Sequence, residues 1–149
     1  MLEIYVDADA CPVKDEVLKI AFRHDLKVYF VSNMWLRNLS GPKVEIIVVT
    51  EGADKADDWI AENIQNNDIF ITSDILLADR CVKKNAAGLG PTGRPFTKET
   101  IGSAVAMRNL SSHLRETGEI SGHNKSFSKK DRSTFLQELE IIIQRLKRL

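Results

Sequence analysis

Residues 4–14 read IYVDADACPVK. The apolar run LEIYVD (residues 2–7) ends on Asp7, and Asp9 follows two residues later. A short apolar run bounded by polar residues marks a buried strand. Alternation along an extended chain puts Asp7 and Asp9 on the same side, so two like charges meet where a buried strand stops. Pro12 suits the first turn of a helix, where its missing N–H costs nothing. Val13, Val17, Ile20 and Ala21 then keep helical spacing to about His24.

The same alternation repeats outward. KVYFVS (27–32) and VEIIVVT (44–50) read as strands, separated by a loop that holds Asn33, Trp35, Gly41 and Pro42. Gly52 breaks the chain, and Asp54 is placed to cap a helix with Ala56, Trp59, Ile60 and Ile64 on one face. DIFITS (68–73) is a fourth strand, followed by a helix over ILLADRCVKK. A glycine- and proline-rich loop, AAGLGPTGRPF, carries one short strand near 87–89. The pattern is helical from Thr97 to about Arg115, polar and loop-like through Asp131, and helical again with Phe135, Leu139, Ile142, Ile143 and Leu146 inward. Ser128 or Asp131 is the expected cap of this last helix. Strands that are apolar throughout and alternate with helices imply a mainly parallel sheet covered on both faces, an α/β/α three-layer sandwich. The 149 residues suffice for one domain (1–149), with the C-terminal helices packed on it.

Charge excludes some functions. Twenty-one basic residues balance 21 acidic ones, so the chain is not a strongly basic coat for nucleic acid, although a local basic patch is compatible with this balance. No apolar run has the length of a membrane span. The opening MLEIYVDAD is acidic and strand-like, unlike a secretory leader, so a cytoplasmic location is expected. Cys11 and Cys81 read as free thiols, and no Cys/His pairing has zinc spacing.

In a parallel sheet, ligands bind outside the carboxyl ends of the strands. Three acidic groups follow such ends: Asp7 and Asp9, then Asp54 and Asp57 in EGADKADDWI, then Asp74 in IFITSD. Carboxylates crowded in one cleft raise each other's pKa unless a cation lies between them. A hard cation such as Mg²⁺ or Mn²⁺ takes oxygen ligands, keeps several waters and supports phosphoester chemistry. A simpler reading competes, because Asp54, Asp57 and Asp74 all stand at helix starts, where aspartate serves as a cap or favours the dipole. Asp7 and Asp9 resist that reading.

Lys14, one turn into the first helix, is within reach of a phosphate or an aspartate. Ser32, Asn33 and Arg37 follow the second strand on the same predicted edge and are candidate substrate contacts, although turn chemistry also explains Ser and Asn. Arg94 and Lys98 are candidates for a nucleic-acid backbone, as is the basic run KSFSKKDR, read here as a loop. Turns explain the glycines of GLGPTGRPF better than a phosphate cradle does. Cys11 reads as a small buried residue rather than a nucleophile, Cys81 as core, and His24, His113 and His123 as surface residues.

VDADACPVK, EGADKADDWI and DIFITSDILLA, in this order and spacing, resemble the uncharacterised bacterial YaiI/YqxD family. GPTGRPFTKETI and KKDRSTFLQELE fit it too, so the resemblance covers nearly the whole chain. That family is grouped with PIN-like domains, a fold class shared with many metal-dependent ribonucleases. The resemblance implies an α/β/α sandwich in which Asp7 matches a first-strand metal aspartate. Asp54 or Asp57 matches the central acid, and Asp74 matches the Thr-x-Asp aspartate. Asp9 belongs to the family's own motif, and Asp79 is the candidate for a further acid.

The leading expectation is a Mg²⁺- or Mn²⁺-dependent nuclease, with RNA favoured over DNA as substrate. Asp7, Asp54, Asp57 and Asp74 would hold metal, and Asp9 would bind a metal water or orient a neighbour. A haloacid-dehalogenase-type phosphatase, with Asp7 as nucleophile and Asp9 as general acid, is a second reading. A non-catalytic module that binds RNA or protein is a third. Apolar positions on the last helix leave a homodimer open, although such helices usually pack internally.

Overall fold

β1 (Glu3–Asp7) lies in the middle of a six-stranded sheet of order β3-β2-β1-β4-β5-β6. The computed structural model describes residues 2–9, 11–37, 39–50, 55–102 and 127–148. β2 (Lys27–Ser32) and β4 (Ile69–Ile71) flank β1, both parallel to it. β3 (Val44–Val48) pairs with β2 and β5 (Ala87–Leu89) with β4, again parallel. β6 (Pro95–Phe96) closes the order antiparallel to β5. The helices are α1 (Lys14–His24), α2 (Lys55–Asn63), α3 (Ile75–Val82) and α4 (Lys129–Lys147), and residues 98–102 are also helical.

Strand alternation divides the interior into two cores. Ile4, Val6, Val28, Phe30, Ile69, Ile71 and Leu89 point to one face, where α1 and α4 supply Val17, Ile20, Phe135, Leu139 and Ile143. Tyr5, Val31 and Phe70 point to the other, against Ile60 and Ile64 from the α2 region and Leu77 and Cys81 from α3. The result is the expected three-layer α/β/α arrangement with a mainly parallel sheet.

α1 and α4 run side by side in the same direction. Arg132 bonds Glu16 at 2.9 Å near their N-terminal ends, while Arg23, His24 and Lys147 gather around Glu140 and the end of α1. His24 is therefore not the surface residue its polar sequence neighbours suggest. Its side chain is covered by α4, with Nε2 2.5 Å from Glu140 Oε2 and Nδ1 2.9 Å from Lys147 Nζ. Burial, then Lys147 and Arg23, hold its pKa below the ordinary histidine value.

Other expectations shift in detail. Helix α1 starts at Lys14 with Val13 as its N-cap, so Pro12 lies in the turn before the helix rather than in its first turn. β3 ends at Val48, two residues short of the apolar run. The basic run near 125–132 is largely not a loop. Ser128 and Asp131 form a reciprocal capping box, and Lys129 to Arg132 are the first turn of α4. The helix expected from Thr97 to about Arg115 is helical over 98–102, and its remainder, with His113 and His123, falls outside the described residues.

Two glycines in the loop region have defined tasks. Gly93 takes φ +88° in the β5–β6 turn, where Gly93 N–H donates to Gly90 O. Gly88 lies under the Phe70 ring, and a Cβ there would come within 2.1 Å of it. Phe70 is fully buried and stacks on Phe96 at 5.8 Å between centroids, so it has little room to move. Gly88→Ala should therefore cost about 1–3 kcal/mol through overpacking. Urea denaturation reads this directly, and an unchanged midpoint would mean that the ring can relocate freely.

Candidate functional site

The three central strands end in carboxylates and hydroxyls. Asp7 is the last residue of β1, and Asp9 follows it. Ser32 ends β2, and Thr72 follows β4 directly. Both hydroxyl residues are fully buried. Thr72 Oγ1 donates to Asp7 Oδ2 at 2.8 Å and accepts the Asp74 N–H at 3.0 Å. Ser32 Oγ donates to Asp9 Oδ1 at 2.6 Å and accepts the Met34 N–H at 3.1 Å. The two halves are alike. On each side of β1 a buried hydroxyl takes the N–H two residues on, which orients its own proton toward an acid of β1. The Asn33 N–H adds bonds of 3.3 and 3.4 Å to the two oxygens of Asp9.

Parallel pairing puts Asp7, Asp9 and Asp74 at one edge of the sheet. Burial raises the pKa of Asp7, the Thr72 bond lowers it in part, and the charges of Asp9 and Asp74 raise it further. Asp74 also caps α3, accepting from Leu76 N at 2.8 Å and Leu77 N at 3.4 Å. The simpler reading of Asp74 as a helix cap is thus correct without removing it from the acidic edge. Asp57 is half-buried in the first turn of α2, and its charge reaches the Cys81 thiol in α3. Asp54 lies outside the described residues. Asp79 pairs with Lys83 one turn on, at 3.0 Å.

The candidate substrate contacts separate into groups. Ser32 is buried and bonded to Asp9, so it orients an acid and does not face a substrate. Lys14 and Arg37 share a groove with Cys11, Pro12 and Leu36. Arg94 lines a second groove with Thr92, Phe127 and Lys130, and Pro12 belongs to both. Lys98 is exposed on the helical turn over 98–102. Asn33 Oδ1 is buried with no hydrogen-bond partner among the described residues. Cys11 is buried, and burial raises its thiol pKa, which removes it as a ready nucleophile. Burial pushes the Cys81 thiol up to about 12.

Does this edge suit a divalent cation? Among the described residues, no three His, Cys, Asp or Glu side chains form a ready cage for a metal ion. Mg²⁺, however, is commonly held by one or two carboxylates, waters and substrate phosphates rather than by an all-protein cage. The donors on offer are all hard oxygens, and the unpartnered Asn33 Oδ1 belongs to the same residue whose N–H bonds Asp9. The donor set fits such an ion. The orienting roles of Ser32 and Thr72 were not visible in the sequence, although the matching spacing of S-N-M (32–34) and T-S-D (72–74) was a signal that could have exposed them.

Among the described residues, no helix is long and apolar enough to cross a membrane. No solved structure matches the chain. The UPF0178 protein mlr0875 of Mesorhizobium japonicum is 59% identical over 142 residues, covering 95% of this chain and 92% of its own. The UPF0178 protein Atu1478 of Agrobacterium fabrum is 56% identical over 146 residues, covering 98% of this chain and 95% of its own. The model of the uncharacterised YaiI/YqxD family matches residues 5–145. With that match and these relatives, the chain belongs to the YaiI/YqxD family.

Proposed function

We propose that the protein is a Mg²⁺- or Mn²⁺-dependent hydrolase of phosphodiester bonds, acting on RNA in preference to DNA, with a PIN-like arrangement of its acids. The observation that carries this reading is the convergence of Asp7, Asp9 and Asp74 at the carboxyl ends of the central strands, with buried hydroxyls aiming two of them. A buried carboxylate beside other acids is costly unless a cation offsets it, and Asp7 carries that cost, its pKa raised first by burial and then by the charges of Asp9 and Asp74.

Asp7 and Asp74 would hold the ion, with Asp57 contributing from the first turn of α2 and Asp54, three residues earlier in sequence, as a further candidate. When bound, the ion would supply an activated water and charge stabilisation at the phosphate. The chain's own residues set the geometry. Thr72 holds one oxygen of Asp7 and leaves the other for the site. Ser32 and the Asn33 N–H hold Asp9, which orients a water or a neighbour. Lys14, Arg37 and Arg94 would meet substrate phosphates beyond the acids.

A labelled RNA oligonucleotide incubated with the protein tests this. Cleavage that needs Mn²⁺ or Mg²⁺ and stops with EDTA is expected. Cleavage unaffected by EDTA, or none in either metal, would remove the reading. A non-catalytic RNA- or protein-binding module is the second reading. It is favoured by one observation, the lack of a ready three-donor cage among the described residues.

A further inference from the structure

His24 ends α1 between two partners that can each play only one part. Its Nδ1 lies 2.9 Å from Lys147 Nζ, and an ammonium can only donate. Its Nε2 lies 2.5 Å from Glu140 Oε2, and a carboxylate that also pairs with Arg23 through Oε1 can only accept. The ring must therefore accept at Nδ1 and donate from Nε2. That is the neutral imidazole with its proton on Nε2.

A second proton has one place to go, Nδ1, and there two donors would face each other at 2.9 Å. The charges around the ring oppose it as well. Arg23 and Lys147 already outnumber Glu140, the carboxylate in contact with the ring. Asp25, Glu3 and Asp68 face the same cavity as His24, but each is engaged elsewhere. Asp25 takes the Lys43 ammonium, Glu3 accepts from the hydroxyls of Tyr5 and Tyr29, and Asp68 accepts the N–H groups of Glu3 and Gln65. Burial, then Lys147 and Arg23, accordingly hold the ring below its ordinary value of 6.5.

What the proton would release is narrow. Phe135, Leu139, Ile142 and Ile143 seat α4 in the core, but all lie before its last turn. Leu146 is only partly buried against that core. Lys147, the last residue of α4, is tied to α1 through His24, at Nδ1 and at the backbone oxygen (3.5 Å). Leu146 and Lys147 wall the cavity, which lies at the opposite end of β1 from Asp7.

We propose that His24 is a proton-operated latch: acid turns its Nδ1 from an acceptor into a donor, expels Lys147 and frees the last turn of α4 from the cavity wall. The rest of α4 stays seated, so the opening is local. The device does not depend on the phosphodiester reading. The folded ring takes its proton at lower pH than an unfolded histidine. Stability that depends on the neutral ring is therefore full above 6.5 and falls as pH drops below it.

NMR of the full-length protein, labelled with ¹⁵N and with ¹³C-histidine and followed from about pH 8 to about pH 5, reads the ring and the helix together. His24→Gln identifies the His24 signal among the chain's three histidines. It also keeps an N–H for Glu140 and takes no proton. A His24 midpoint below 6.5 is expected, with the amides of Leu146 and Lys147 losing hydrogen-exchange protection in the same transition. In His24→Gln that transition should vanish. Lys147→Met, a change at an exposed side chain, should raise the His24 midpoint by about 0.5–1, the effect of removing one cation at contact distance in a hydrated setting. A midpoint at or above 6.5, or no titration down to the acid end of the range, would overturn the proposal. So would an unmoved midpoint in Lys147→Met, or Leu146 and Lys147 amides that respond to acid equally in wild type and His24→Gln.

Discussion

Asp7→Asn is expected to lower metal-dependent RNA cleavage by at least about 100-fold, since it withdraws several kcal/mol of transition-state charge stabilisation. The substitution is nearly isosteric, and the amide oxygen can still accept from Thr72 Oγ1, so the local packing should survive. The same change should stabilise the metal-free fold at neutral pH. Asp7 has a folded pKa above its ordinary value of 3.8, mainly through burial and then through Asp9 and Asp74, against the Thr72 bond. The folded state therefore binds this proton more readily than the unfolded chain. By linkage, the charged carboxylate costs stability above the raised pKa, and that cost disappears as pH falls toward 3.8. Asp7→Asn should thus melt higher than wild type at pH 7 without metal, and the difference should shrink in acid. A variant that cleaves normally would remove Asp7 from the site. One that melts lower at neutral pH would show that the buried charge of Asp7 does not cost the fold stability. An acid retained at a cost to the fold fits the usual trade between stability and function.

Phe135→Ala is expected to cost about 3–5 kcal/mol, the range for truncating a fully buried aromatic. Phe135 is fully buried in α4, beside Leu139, Ile142 and Ile143. The backbone at Thr134 and Phe135 lies against Gly93, so the cavity cannot close by a simple inward shift of the β5–β6 turn. For a chain of this size each kcal/mol lowers Tm by roughly 2–4 °C, so the melt should drop by about 6–20 °C. A loss below about 1 kcal/mol would mean that α4 is an accessory and not part of the first core.

Much of the sheet was legible because its central strands β1, β2 and β4 are largely buried on both faces and read as apolar runs. The order of helices and strands around IYVDADACPVK then led to a parallel sheet with the acids at one edge. β6 escaped because Pro95–Phe96 is too short to show a period, and proline is tolerated there at a sheet edge. His24 was misread because the groups that cover it, Glu140 and Lys147, are 116 and 123 residues away. Ser32 looked like a substrate contact for a similar reason. Only when β2 lies against β1 does its hydroxyl meet Asp9, 23 residues earlier. The exposure of Trp35 gave no warning either, since a tryptophan among loop residues looks the same whether it turns inward or outward.

The proposed hydrolase requires the acidic edge to take a divalent cation through Asp7. Calorimetric titration of Mn²⁺ into wild type and Asp7→Asn, followed by Mg²⁺, tests it most directly. Saturable binding by wild type, lost in the variant, is expected. Equal binding by both proteins, or none by wild type at millimolar metal, would contradict it.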